Sequence, residues 1–332
     1  MSDGLSSTEP FFLVGFQRSG TTMLRLMLNA HPEIAIPHDS AELWPKYSRL
    51  AATRYRGLHA PDDVRSMMDD LLSEPRIHAW QTKLQRDALL ADPLPSSFPD
   101  VMRRFHVVFA RAHGKALWGD KNTGTLVELD RLNAEFPRCR IIHLVRDGRD
   151  CALSHRHYMY GYENALRVAL EWREQVTLCH KMGAMLPGDR FCELRYEDLV
   201  TDPAAALTRL CDFLGVSFSP LMLDFYRNVE DDVPEERRPL WPLLDRPAVA
   251  ANAFKWKSAM SPRERAVFER NAGELLRTFD YETSAAPPKD GRILELWYLV
   301  HSRFAWRLKR SPFFPKRRTG APDVPVRPAV SE

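Results

Sequence analysis

The chain has 332 residues, of which 44% are hydrophobic and 27% charged, with a formal net charge of +3. That length allows one large domain or two small ones, and the composition is that of a soluble globular protein. The small positive excess does not indicate nucleic acid as a partner, but it suits an anionic ligand.

Residues Met1 to Pro10 read as a mobile tail. They have no basic stretch leading into an apolar core, so no secretory signal is expected, and no later stretch is apolar enough to span a bilayer. Phe11 to Phe16 is a short apolar run with the character of a buried strand. A polar turn runs from Gly15 through Gln17, Arg18 and Ser19 to Gly20. From Thr22 the apolar residues Met23, Leu24, Met27 and Leu28 have helical spacing. Strand, tight loop and helix aim backbone N–H groups and a helix N-terminus at one spot, which makes an anion site. His31-Pro32-Glu33 ends the helix. Ile34 to Pro37 reads as a second strand, with His38, Asp39 and Glu42 beyond its carboxyl end, where ligands sit in open α/β sheets.

Residues 43–114 read as a mostly helical insertion broken by prolines. Val64, Met67, Met68 and Leu71, then Val101, Phe105, Val108 and Phe109, form core stripes. Leu117 to Lys121 is expected to lead into a helix from Thr123 to Phe136. Arg140 to Val145 is the clearest buried parallel strand. A turn at Arg146-Asp147-Gly148 then precedes a helix from Asp150 to Tyr160. A long helix carries Leu166, Leu170 and Val176, and Arg190 to Arg195 is a further strand. Pro203 opens a helix, Val229 to Pro247 reads as a long loop, and Ser261-Pro262 caps another helix. Arg292 to Arg310 is a basic amphipathic helix, extended by Lys316, Arg317 and Arg318. Residues 319–332 read as disordered. The fold class is α/β: a P-loop-like parallel sheet flanked by helices, with a helical insertion. The domain spans residues 11–285, followed by a basic segment, 286–318.

Gly15 and Gly20 have the spacing of a nucleotide P-loop, and Thr22 fills its Ser/Thr position. The lysine position holds Thr21, and the positive charge has moved to Arg18. A loop without that lysine lacks the group that reaches terminal phosphates. It fits a less charged tetrahedral anion, such as a sulfuryl group.

Gly15-Phe16-Gln17-Arg18-Ser19-Gly20-Thr21-Thr22 resembles the 5′-phosphosulfate loop of sulfotransferases that use 3′-phosphoadenosine 5′-phosphosulfate (PAPS). Val145 to Asp150, with Ser154 downstream, resembles that family's 3′-phosphate segment, and Arg195-Tyr196-Glu197-Asp198-Leu199 its third landmark. The three occur in the family order. Arg18 in the loop is similar to the tyrosylprotein branch and to many bacterial members; the phenol and steroid branch has lysine there. The resemblance implies that Arg18 screens the leaving group, with Ser19, Gly20, Thr21 and Thr22 as the cradle. It implies that Lys121 touches the transferring group, and that Arg146 and Ser154 bind the 3′-phosphate. Tyr196 is a nucleotide contact or a core tyrosine. Asn252 to Lys257 stands where the family often has a glycine-rich loop, which makes Lys255, Trp256 and Lys257 candidate cofactor contacts. Asp39 falls where the tyrosylprotein branch has a glutamate base. His38, Glu42, His106 and His113 are the other candidates for the base, and Asp39 with Ser40 can alternatively cap the next helix.

In-line transfer of a sulfuryl group to a hydroxyl needs a held donor, a screened leaving phosphate, a base and an aligned acceptor. No metal is required by that logic, and no carboxylate cluster suggests one. The competing readings are a P-loop phosphotransferase, with Asp147 as its only metal-holding match, and a non-catalytic nucleotide-binding module at a membrane surface. The acceptor is expected to be a carbohydrate, lipid or small-metabolite hydroxyl. Five cysteines without metal-ligand spacing indicate a reducing compartment. The expected location is the cytoplasm, either free or peripheral at the inner membrane face. The C-terminal helix either packs on the domain or lies on anionic lipid.

Overall fold

The computed structural model describes residues 9–38, 40, 43–121, 129–156, 164–235, 238, 241–284 and 298, without the side chains of 129–131 and 231. Strand β1 (Phe11–Val14) lies at the centre of a sheet ordered β2-β3-β1-β4-β5. The others are β2 (Ile34–Ala35), β3 (Leu117–Lys121), β4 (Arg140–Val145) and β5 (Phe191–Arg195). Every described pairing is parallel. All strand carboxyl ends therefore reach the same edge, and the site is built there.

β1 is central because it is apolar on both faces; none of its four side chains is more than 1% exposed. Phe11 and Leu13 pack with Leu24, Met27, Leu207 and Leu210. Phe12 and Val14 point the other way, into a core with Trp44, Phe105 and Phe136. Each buried side chain of this size contributes about 1.5–3 kcal/mol.

The helices in chain order are α1 (Thr21–Asn29), α2 (Leu43–Thr53), α3 (Pro61–Leu72), α4 (Pro75–His78), α5 (Arg86–Leu89), α6 (Phe98–Ala112) and α7 (Leu129–Glu135). There follow α8 (Gly148–Arg156), α9 (Ala165–Met185), α10 (Tyr196–Thr201), α11 (Pro203–Leu214), α12 (Val229–Asp232), α13 (Trp256–Ala259) and α14 (Pro262–Thr278). The insertion is helical as expected, α2 to α6, and its Met and aromatic stripes are core. Asp202 and Ser261 cap α11 and α14, the latter with a capping box closed by Glu264.

Three expectations change. Leu117 to Lys121 is itself a strand, inserted between β1 and β2. The stretch from Val229 opens with α12, which is pinned to α1: Asn29 Nδ2 donates to Asp232 Oδ1 at 2.7 Å and Arg25 Nη2 to the Asp232 carbonyl at 2.9 Å. Glu9 and Pro10 are not part of a loose tail, since the Pro10 carbonyl accepts from the Arg140 N–H at 3.0 Å. Past residue 284, Tyr298 is described; it is 8% exposed and packs in the cluster of Trp172 and Phe268. Trp297, Val300, Phe304 and the basic run through Arg318 lie outside the described residues. Among the described residues, no helix is long and apolar enough to cross a membrane.

Candidate active site

The loop between β1 and α1 turns through two left-handed residues, Arg18 (φ 68°) and Gly20 (φ 97°). The first is strained for a residue with a side chain, and such strain is characteristic of functional loops. The turn closes with the Ser19 N–H on the Phe16 carbonyl at 3.1 Å. Gly20 is the N-cap of α1, so the free N–H groups of that helix face the loop. Ser19, Thr21 and Thr22 are all buried.

Three chain segments meet at this loop. Arg18 Nε donates to Ser154 Oγ on α8 at 2.9 Å. Arg146, just past β4, donates through Nη1 to the Arg18 carbonyl and through Nη2 to the Asn252 carbonyl, both at 3.0 Å. Tyr196, just past β5, supports both: the Arg146 guanidinium lies 4.4 Å from its ring centroid, and a Cβ on Gly20 would sit 2.6 Å from its Cδ2. Ser19 Oγ and Arg146 Nε are among the buried polar atoms with no hydrogen-bond partner in the described residues. Native interiors rarely leave such groups unmet, so a cradle of this make-up fits an anion with several acceptor oxygens. Ser154, whose oxygen accepts from Arg18, keeps its proton to donate.

The carboxylates beneath this site serve the fold. Glu197 accepts the Asp147 N–H at 3.1 Å and the Tyr281 hydroxyl at 2.7 Å. Burial pushes its carboxyl up, and these two donors hold it back. Asp150 accepts the Trp256 N–H at 2.8 Å; burial raises it as well, against the pull of nearby Arg146. Arg149 is fully buried and pairs with Asp147 at 2.7 Å and Glu269 at 2.6 Å. It is thus held as an ion-pair partner of Asp147. That pairing occupies the one carboxylate that a phosphotransferase reading would assign to a metal.

Lys121 ends β3 opposite Leu13 of β1, beside the start of the anion loop, and is 4% exposed. The stretch standing for the glycine-rich loop departs from expectation. The Trp256 ring is 1% exposed and packs against the guanidinium groups of Arg149 and Arg265, 3.5 and 4.4 Å from its centroid. Lys257 pairs with Glu282 at 2.7 Å. Trp256 is thus a core residue and Lys257 a surface ion-pair partner; Lys255 is exposed. The contact from this stretch to the site is one that sequence reasoning missed, the Asn252 carbonyl on Arg146. A backbone acceptor leaves no mark in the sequence.

Of the candidates for the base, Asp39 and Glu42 lie outside the described residues. His38 is buried, with its ring 6.2 Å from that of Trp241. His106 is fully buried between Trp80 and Trp118, and His113 is exposed.

A parallel sheet with a lysine-free phosphate-type loop at its edge, crossed by a second arginine and a serine from the next strand and helix, defines a nucleotide-dependent group transferase. A profile of the sulfotransferase family matches residues 10–220, and the chain belongs to that family. It is a PAPS-dependent sulfotransferase. It is 24% identical over 310 residues to protein-tyrosine sulfotransferase A of Caenorhabditis elegans, covering 89% of this chain and 73% of the relative. It is also 24% identical over 326 residues to the omega-hydroxy-beta-dihydromenaquinone-9 sulfotransferase Stf3 of Mycobacterium tuberculosis, covering 87% and 79%. Other curated relatives are longer, and the chain spans about half of them or less. Among solved structures, the sulfotransferase domain of the Synechococcus PCC 7002 olefin synthase matches at a TM-score of 0.58 and 25% identity, over 83% of this chain and 96% of that one.

Proposed function

We propose that the protein sulfates a hydroxyl of a carbohydrate, lipid or small metabolite at the edge formed by the ends of β1, β3, β4 and β5. The observation that carries this reading is the junction of the three donor segments, with Arg18 bonded to Ser154 and Arg146 bonded to the Arg18 carbonyl. PAPS supplies an SO3 group, with adenosine 3′,5′-bisphosphate (PAP) as the leaving group. Ser19, Gly20, Thr21 and Thr22 hold its 5′ end through hydroxyls and backbone N–H groups. Arg146 and Ser154 take the 3′-phosphate, and Tyr196 keeps Arg146 in place. Arg18 and Lys121 meet the negative charge that grows on the departing phosphate. Asp39 accepts the acceptor's hydroxyl proton. The scheme assigns no metal, because the two cations take the screening role.

A lipid-like acceptor is supported by the mycobacterial relative, whose name gives a hydroxylated menaquinone as its substrate. The reading sets the enzyme in the cytoplasm, free or at the inner membrane face; its five cysteines are buried free thiols. The test is mass spectrometry of extracts from strains with and without the gene, grown on labelled sulfate. The expected result is one or more sulfated lipids, sugars or metabolites that carry the label only when the gene is present. Identical labelled profiles sink the proposal.

A further inference from the structure

Asp120 is a charged residue where the packing calls for an apolar one. It lies in β3, paired with Phe12 of the central strand, and is 0% exposed. A buried carboxylate is costly unless hydrogen-bonded, and this one accepts hydrogen bonds from two directions, with an imidazole close by on a third side. Ser40, in the segment after β2, reaches both of its oxygens at 2.5 and 2.6 Å. Trp44 Nε1, on α2, donates to Oδ2 at 2.5 Å. His106 Nε2, on α6, lies 3.6 Å from Oδ1, while its Nδ1 is 2.8 Å from the Met102 carbonyl. Tilted ring contacts with Trp80 and Trp118, with centroids 4.9 and 5.1 Å away, hold the imidazole.

These partners are not scattered. Ser40 and Trp44 begin the insertion and its approach, and His106 lies on the insertion's last helix. Ser40 follows Asp39 in the chain, and Lys121 follows Asp120. One carboxylate thus ties the segment on the acceptor side to the strand end that carries Lys121.

We propose that Asp120 is a positioning residue for sulfuryl transfer. Through its hydrogen bonds to Ser40 and Trp44 it sets the acceptor-side segment at a fixed distance from Lys121 and the donor loop. The inference rests on the reading of Lys121 and the segment after β2 as reaction machinery. It assigns Asp120 no contact with either substrate. An apolar residue would fill the same space but would leave the Ser40 hydroxyl and the Trp44 N–H unmet and the segment free to shift. A shift of about 1 Å at such a site costs on the order of a hundredfold in productive alignment.

The test uses the full chain and the variants Ser40→Ala, Ser40→Thr and Asp120→Asn. Calorimetry measures two affinities: that for PAP, and that of the PAP-loaded protein for orthovanadate, a mimic of the trigonal sulfuryl group. Ser40→Ala and Asp120→Asn are expected to bind PAP within about twofold of wild type and vanadate roughly tenfold or more weakly. Ser40→Thr, which restores the hydroxyl, is expected to regain vanadate affinity. If the carboxylate only stabilised the fold, the variants would melt at lower temperature without separating the two affinities. Vanadate affinity unchanged in both variants, or both affinities falling together, overturns the proposal. So does a wild-type protein that binds PAP but not vanadate. Failure of the wild type to bind PAP would instead overturn the donor-site reading on which the inference rests. If Asp120→Asn does not fold, the Ser40 pair carries the test, since it removes and restores a single hydroxyl.

Discussion

Replacing Gly20 with alanine tests the coupling between the anion loop and the β5 end. Two costs arise. At φ 97° a side chain is strained by about 1–3 kcal/mol. The new Cβ would also lie 2.6 Å from Tyr196 Cδ2 and 2.7 Å from Cε2. Ordinary carbon contacts are about 3.5–4.0 Å, so the ring must retreat by about 1 Å. The Arg146 guanidinium lies 4.4 Å from the ring centroid, so the ring cannot move without disturbing it. Overpacking of this kind costs about 1–3 kcal/mol. Gly20→Ala should therefore destabilise the protein by about 2–6 kcal/mol in total and weaken PAP binding with it. Urea unfolding of Gly20→Ala, Tyr196→Ala and the double variant separates the two costs. With the ring gone only the strain remains, so the cycle should show a coupling of about 1–3 kcal/mol. Costs that add within about 0.5 kcal/mol would refute the contact between Gly20 and Tyr196 as the reason for glycine.

Asp39→Asn should leave PAP affinity nearly intact and slow turnover by roughly 10² to 10⁴; near wild-type turnover would move the base to His38, Glu42 or a histidine of the insertion. Burial pushes the Glu269 carboxyl up, but hydrogen bonds from Arg265 and Ser284 and the charge of Arg149 outweigh it and hold the group below its usual range. Its contribution to stability is thus complete above an unfolded value of about 4.3 and is lost as pH falls through the lower native value. The urea-stability gap between wild type and Glu269→Gln should shrink below about pH 4, and a gap constant from neutral to acid pH contradicts this. Deleting residues 292–332 should destabilise the domain, because Tyr298 packs in its core, and the intact protein should not float with anionic vesicles at low salt. Salt-sensitive flotation that is lost on truncation, with the domain still folded, would establish the membrane reading instead.

The strands that form the centre of the sheet were legible because they are unbroken apolar runs. Phe11 to Phe16 and Arg140 to Val145 need no tertiary information to be recognised. β3 was not, because Gly119 and Asp120 interrupt its pattern. The partners that make Asp120 tolerable, Ser40 and Trp44, come from elsewhere in the chain. Arg18, Ser154 and Arg146 were legible as candidates for the donor site because their motifs are local, and the structure brings the three together. The site was not legible at residues 255–257. There the fate of Trp256 depends on Arg149 and Arg265, and that of Lys257 on Glu282. Long-range pairing of charges decides which residue faces a ligand and which faces the core, and spacing in sequence carries no record of it.

The central claim is that this loop and its crossing arginine read a 3′-phosphorylated adenine nucleotide. Isothermal titration with PAP, AMP, ADP and ATP tests it without knowledge of the acceptor. The account predicts that PAP binds more tightly than the other three. It also predicts that Arg146→Ala removes roughly tenfold or more of that preference, the worth of a charge-assisted hydrogen bond of about 1.5–3 kcal/mol. Equal affinity for PAP and AMP, or a preference for ATP that survives Arg146→Ala, would contradict it.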